Sequence, residues 1–368
     1  MYARTMKTIA GVAAIAGLAA FGAGRTTVAV AAADEGPTLQ SVGPMTFGPD
    51  GQLFAADTTA ATIYALDLGA QANGGKAGAA DVTDIDKKIA AMLGSEASAI
   101  RVTDLAIHPK TRNAYISVMR GTGADAKPVL LRVDGAGAIE PIAIEKLKYT
   151  KVALPNAPAP GTDGRRNPRV DSVTDMAFAN GKLIVAGLSN EEFASKLRTF
   201  AYPFAAADPG TSVEIFHGNH GALETRAPVY TFIPYTIENK PHLIASYTCT
   251  PLVRFSLDSL KGTSKVVGTT IAEFGAGNRP LDMILYKKDG KEYLLMSNNN
   301  RGVMKVPTAE FGTAPGITAR VTAPTAGIAY ETITAMKGVE QMDLLDAQRS
   351  IVLARTGSGL SLSAVALP

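Results

Sequence analysis

The chain contains no tryptophan, one cysteine and four histidines, and each shortage removes a class of function. A single cysteine, Cys249, cannot make an internal disulfide, so the fold must be held by burial and backbone pairing. No Cys-x-x-Cys-His is present, which excludes covalent haem, and no Gly-x-Ser-x-Gly elbow marks a standard serine hydrolase. Asn298-Asn-Asn-Arg301 lies in no phosphate-loop context, so no nucleotide cofactor is expected. Without indole rings, sugar binding by indole stacking is disfavoured.

Excess charge is also lacking. Residues 1–33 hold Arg4, Lys7 and Arg25 and no acid; setting them aside leaves 33 basic against 33 acidic residues. A near-neutral remainder gives no electrostatic case for nucleic acid or an anionic membrane as partner. Those first residues read as a secretory leader: charged Met1–Lys7, an apolar Ala/Gly-rich run to about Gly24, and small residues before Asp34. Arg25 interrupts the run, which makes it a poor membrane span. The n-region has no adjacent Arg pair, which fits the general secretory route, and Cys249 lies too far along for a lipid-anchoring site. The expectation is a signal peptide over 1–33, a periplasmic or secreted protein, and no membrane insertion once it is removed.

What the chain does have is a recurring hairpin. Val102-Thr-Asp-Leu-Ala-Ile-His-Pro and Val173-Thr-Asp-Met-Ala-Phe-Ala-Asn-Gly both read as strand and tight turn, each followed by a second strand. The cadence returns at Pro44 and Pro280. Aligning first-strand positions gives Met45, Leu105, Met176, Phe232, Met283 and Met342, six units 51 to 71 residues apart. Each continues into a second and third strand of β-branched and aromatic residues, and most into a fourth, such as Ala138–Ile144, Ser212–Phe216 and Thr269–Phe274.

Six four-stranded sheets in series predict an all-β, six-bladed β-propeller as one domain over 34–368. The last unit ends after its third strand, so the N-terminal segment Thr38–Ser41 is expected to complete it. A short helical insertion is expected near 84–93, where acids precede an apolar periodicity closed by Gly94. Residues 154–169, rich in Pro and Gly, read as a long exposed loop.

Phe47-Gly-Pro-Asp-Gly-Gln-Leu-Phe-Ala-Ala-Asp57 and Ile107-His-Pro-Lys-Thr-Arg-Asn-Ala-Tyr-Ile116 resemble the strand-turn-strand cores of the NHL, SMP-30/gluconolactonase and strictosidine-synthase-like six-bladed propellers. The resemblance covers the repeat scaffold and no complete catalytic motif. It implies a funnel at one end of the central channel and, in the lactonase members, a divalent cation held there by acidic and amide side chains. The missing tryptophans separate the chain from quinone-cofactor propellers, whose repeats rely on docking tryptophans.

Propeller geometry opens two sets of connections on one face: those into each first strand and those from second to third strand. Asp104, Asp175 and Asp282 share one repeat position there, with Asn298 on a second-to-third connection. Oxygen donors of this kind suit calcium or another divalent metal, which polarises a carbonyl or phosphoryl oxygen while a spare carboxylate takes a proton. The same acids can instead accept backbone hydrogen bonds and brace the blades, or pair with arginines. Arg101, Arg169, Arg279, Asn190 and Arg301 are the candidate substrate-binding groups. His217-Gly-Asn-His220 can bind a transition metal, with Cys249 at a turn of the next unit, or can simply form an exposed turn.

Three functional readings stay open on sequence. The first is a polar-funnel protein performing metal-assisted hydrolysis of a small ester or lactone. The second is a non-catalytic propeller binding a small molecule or a protein at the funnel face. The third is a transition-metal or redox accessory protein using the His217/His220 loop. Whether the chain is an enzyme, and its oligomeric state, are not legible at this level.

Overall fold

Strand pairing in the computed structural model, which describes residues 28–30, 36–161, 167–262, 265–357 and 359–368, builds six sheets around a central channel, antiparallel but for the short strand Val266–Val267 beside Thr211–His217. Numbered by their innermost strands in chain order, blade I starts at Met45–Phe47, II at Ile100–Ile107, III at Asp175–Ala179, IV at Thr231–Ile237, V at Pro280–Lys288 and VI at Val339–Leu344. All six aligned positions, Met45, Leu105, Met176, Phe232, Met283 and Met342, lie in these strands and are buried. The protein is a six-bladed β-propeller, nearly all-β, as the repeat predicts.

Local chemistry sets the hairpins. Asn180-Gly181, Glu238-Asn239 and Asp289-Gly290 all have positive φ and form two-residue turns that pair Ala179 with Lys182, Ile237 with Lys240 and Lys288 with Lys291. Such turns match the right-handed twist of the flanking strands. The expected helix is present as Ile85–Met92. Gly94, at φ +60, closes it: Ser95 N donates to Ala90 O and Gly94 N to Ala91 O, the Schellman pattern a glycine makes possible.

The order of blades around the ring is not their order in the chain. Contacts between innermost strands run II–I–III–IV–V–VI and back to II, and the buried clusters follow the same seams. Phe54 and Ile63 of blade I pack on Met176 and Leu183 of blade III. Leu105 and Ile116 of blade II pack on Ile351 and Leu353 of blade VI. Blade II is inserted between the third strand of blade I, Thr62–Asp67, and its outer strand, Lys148–Ala153. Val28–Val30 pairs outside that strand.

This arrangement changes the expected closure. Thr38–Ser41 forms no strand, because its polar groups are held by blade I. Gln40 N and Ser41 N donate to the Asp57 carboxylate at 2.6 and 3.1 Å, and Tyr64 Oη donates to Thr38 O at 3.1 Å. Blade VI has three strands. Its free edge is met instead by Val82, from the connection between blades I and II, which exchanges two backbone hydrogen bonds with Leu362. Ile85 and Ile89 of the helix join the cluster beneath that edge.

The leader expected over 1–33 lies largely outside the described residues, as do Arg165 and Arg166 of the loop. Among the described residues no helix is long and apolar enough to cross a membrane.

Candidate functional site

In blades II, V and VI the innermost strand carries a bulge, with register shifts between Val102 and Asp104, Pro280 and Asp282, and Val339 and Gln341. An extra residue re-aims the side chain that follows it. Asp104 and Asp282 face the channel at these points, with Asp175 beginning the inner strand of blade III. The exchanged blade order puts the three on alternate blades of the ring. Asp343 joins them two residues beyond Gln341, and all four carboxylates line one cavity of about 440 Å³.

Each carboxylate spans a seam. Asp104 Oδ1 accepts Leu105 N of its own strand at 2.8 Å and Oδ2 accepts Met45 N of blade I at 2.5 Å. Asp175 accepts Met176 N and, at 2.8 Å, Phe232 N of blade IV. Asp282 accepts Met283 N and, at 2.7 Å, Met342 N of blade VI. Asp343 accepts Leu344 N and, at 2.7 Å, Ile107 N of blade II. The preceding threonines complete the clasp, Thr103 Oγ1 donating to Val42 O and Thr174 Oγ1 to Val229 O. The recurrent Thr-Asp pair therefore joins neighbouring blades.

Two amides use two of the roughly four acceptor positions of a carboxylate. Part of what remains faces Gln341, whose amide nitrogen, oriented by the acids around it, donates to Asp104 Oδ1 at 3.0 Å and Asp282 Oδ2 at 3.2 Å. Among the described residues no ion pair neutralises Asp104, Asp175 or Asp282. Burial raises Asp104 well above the ordinary carboxyl range, with repulsion from Asp175 and Asp343 adding to it. Burial and the Asp104 charge do the same to Asp282. Burial lifts Asp175 to about 7 and Asp343 to about 6, against the pull of their backbone donors.

The channel opens on the predicted face into a second cavity of about 600 Å³, whose lining includes Arg101, Arg279, Tyr230, Asn299 and Gln341. The Arg279 guanidinium lies 5.3 Å from the Tyr230 ring centroid, and Asn299 Oδ1 accepts its backbone N–H at 2.7 Å. Glu340 also lines the mouth but is held by Arg355 through two hydrogen bonds.

Other expected site residues are placed elsewhere. Arg169 pins the loop to the scaffold, donating to Thr59 O and Pro158 O at 2.9 Å each. Asn190 is exposed and anchors the same loop through its backbone bond to Asn156 O. Arg301 lies over Gly275. Asn298 lines neither cavity: its Oδ1 accepts Asn300 N and Arg301 N at 3.0 Å, and its Nδ2 donates to Asn278 Oδ1 at 2.8 Å. It shapes its own turn.

An oxygen-only set of Asp104, Asp175 and Asp282 fits a hard cation in kind. These three would hold it, and it would supply Lewis-acid polarisation of a bound carbonyl.

No family model matches the sequence, and no curated protein matches it either. Solved structures similar to it include a chain of a mitotic checkpoint complex at 10% identity, TM-score 0.36, covering 100% of this chain and 99% of that one. The apo-form soluble aldose sugar dehydrogenase of Escherichia coli gives 11% identity, TM-score 0.35 and coverage of 93% and 100%. The periplasmic gluconolactonase of Pseudomonas aeruginosa gives 12%, 0.33, and 89% and 85%. The propeller assignment rests on the strand pairing of this chain.

His217, His220 and Cys249 do come together, away from the axis. His217 ends Thr211–His217, four strands out in blade III, and Cys249 sits in the turn between Lys240–Ser246 and Pro251–Ser256 of blade IV. Their ligand atoms all lie within 4.8 Å of one another. Glu224 accepts from or pairs with both histidines, its Oε2 lying 2.9 Å from His217 Nδ1 and its Oε1 against His220 Nδ1. Burial resists ionisation of Glu224, but the hydrogen bonds from His220 and His217 outweigh it and hold the carboxyl below its ordinary range. Burial lowers His217, keeping its ring neutral. Glu273 Oε2 approaches His217 Nε2 at 3.8 Å. Sequence reasoning missed Glu224, Glu273 and Asp343; only Glu224, four residues after His220 on a returning strand, left a local signal.

Proposed function

We propose that the axial channel and its mouth bind a small polar molecule carrying an anionic group, and that the reaction is hydrolysis of a small ester or lactone in an exported protein. The observation that carries this is the convergence of three carboxylates on alternate blades, unpaired with any cation among the described residues, beneath a mouth bearing Arg101 and Arg279. Raised carboxyl pKa values in a cleft mark functional groups more often than surface ones. Arg101 and Arg279 would orient the anionic end, with Tyr230 holding the Arg279 guanidinium in place. With no cation in the channel, Asp175, lifted to about 7, is matched to accept a proton from attacking water near neutral pH.

A second reading, a non-catalytic binding propeller, is favoured by one specific observation: both oxygens of every channel aspartate already accept a backbone N–H. A panel of small esters and lactones assayed with and without Ca2+ separates the two. The hydrolytic reading expects turnover that Asp175→Asn abolishes and a higher KM for anionic substrates in Arg279→Ala. Absence of turnover across the panel, with no rise in Tm on adding Ca2+, would leave the binding reading standing.

A further inference from the structure

The cluster on the rim between blades III and IV uses different chemistry from the channel and shares no residue with it. His217 is 1% exposed. Its Nδ1 is committed to Glu224, while Nε2 is buried with no hydrogen-bond partner among the described residues. An orphaned buried imidazole nitrogen is destabilising, so the fold retains a group that a ligand would satisfy. Glu224 reaches both histidines at Nδ1, which leaves the two Nε2 atoms as the free donors. A carboxylate behind an imidazole fixes its tautomer and orientation and raises its basicity, the arrangement found behind metal-ligating histidines. Cys249, a free and partly exposed thiol, supplies the third donor, and one ligand atom from each of the three residues lies within 4.8 Å of the others. Donors around a tetrahedral metal lie about 3.3–3.8 Å apart, given bonds of about 2.0–2.3 Å, so only a small contraction is needed.

We propose that His217, His220 and Cys249 form a mononuclear site for a borderline or soft transition metal ion, Zn2+ or Cu+, with Glu224 as the positioning residue for both imidazoles. The nitrogen and thiolate donors exclude preference for calcium or magnesium, which take oxygen. On binding, the Cys249 thiol releases its proton to solvent and the sulfur forms the metal bond. Half-exposed His220 lies on the solvent side of the buried His217 and gives the ion an approach. Three protein donors leave one coordination position, beside Glu273.

The test uses the full chain purified without a histidine tag and stripped with chelator. Co2+ is titrated as a spectroscopic probe, then competed with Zn2+ and, under anaerobic reducing conditions, with Cu+. The expected result is one equivalent bound with thiolate-to-cobalt charge-transfer absorption. Cys249→Ser should remove that absorption, and both it and His220→Ala should weaken Zn2+ or Cu+ binding at least tenfold. Glu224→Gln should weaken it about 10- to 100-fold while keeping the charge-transfer band. His220→Ala alters an exposed side chain, and its unchanged melting in chelator is the check that the variant folds. The proposal is overturned if none of the three ions binds, or if Cys249→Ser binds as tightly as the parent. Loss of binding in Asp104→Asn with retention in Cys249→Ser would overturn it equally, by moving the ion to the channel.

Discussion

Asp57 and Asp104 look alike in sequence, each close to an apolar strand, yet they do different work. Asp57 is fully buried and takes four donors: Gln40 N, Ser41 N, Ser41 Oγ and Ala60 N. Replacing it with alanine strands several donors in a site closed to water, where each orphan costs about 1–3 kcal/mol. Asp57→Ala should therefore lower unfolding free energy by about 3 kcal/mol or more in urea denaturation, and a loss below that of an ordinary surface substitution would refute the clasp. The Thr-Asp pairs act across seams. Thr103 Oγ1 donates to Val42 O of blade I at 2.9 Å, so Thr103→Val, which keeps the volume, should cost about 1 kcal/mol by the same measurement. That Thr-Asp recurs was legible in the sequence. Its destination was not, because the accepting and donating groups are backbone atoms some 55 to 61 residues away, and backbone carries no side-chain signature.

The hairpins and the helix were legible for the opposite reason: Asn180-Gly181, Asp289-Gly290 and Gly94 are residues whose backbone freedom dictates a turn or a stop where they stand. The bulges were not, since Thr103, Leu281 and Glu340 have nothing in common chemically. Yet the inner strands, bulged in blades II, V and VI, place the channel acids, and these set a pH dependence whose sign can be worked out. An unfolded aspartate titrates near 3.9, whereas Asp175 is lifted to about 7 and Asp343 to about 6. Between these limits the folded chain holds protons that the unfolded chain has released, so the stability from these groups is complete below about pH 4 and is lost as pH rises through 6 to 7. Carboxylates held low, such as Asp134 and Asp346, act in the other direction but only at more acid pH. His217 and His108, lowered by burial, also oppose the trend, losing stability as pH falls below about 6.5. The readout is accordingly the difference between parent and Asp175→Asn in Tm from pH 8 to pH 5 without divalent cations. The parent should gain relative to the variant as pH falls, and parallel curves would refute the assignment.

Across the whole molecule, the exchange of blades I and II decides both the site and the way the ring closes. Asp104, Asp175 and Asp282 belong to the second, third and fifth units of the chain, an uneven series; in ring order II–I–III–IV–V–VI they fall on alternate blades. Nothing in six similar units says which neighbours which, and the segment that reveals the exchange, Lys148–Ala153, reads locally as any outer strand. The exchange also ties blades I and II together by two chain crossings, while the seam between VI and II is bridged, among the described residues, by packing and hydrogen bonds, including the Asp343 to Ile107 bond, the Val82–Leu362 bridge and the cluster around Leu353. That seam is where the ring should open first. Leu353 is fully buried in it, and truncation to alanine should cost about 2–5 kcal/mol. Its distinguishing effect lies in amide hydrogen exchange: protection should fall together in Gly359–Ala366, Ile100–Ile107 and Ile85–Met92, elements on both sides of the seam, and stay intact in Lys240–Ser246 on the far side of the ring. Exchange that quickens in blade VI alone would mean that the helix and blade II do not depend on the closure, and would refute the noncovalent seam as the ring's weakest joint.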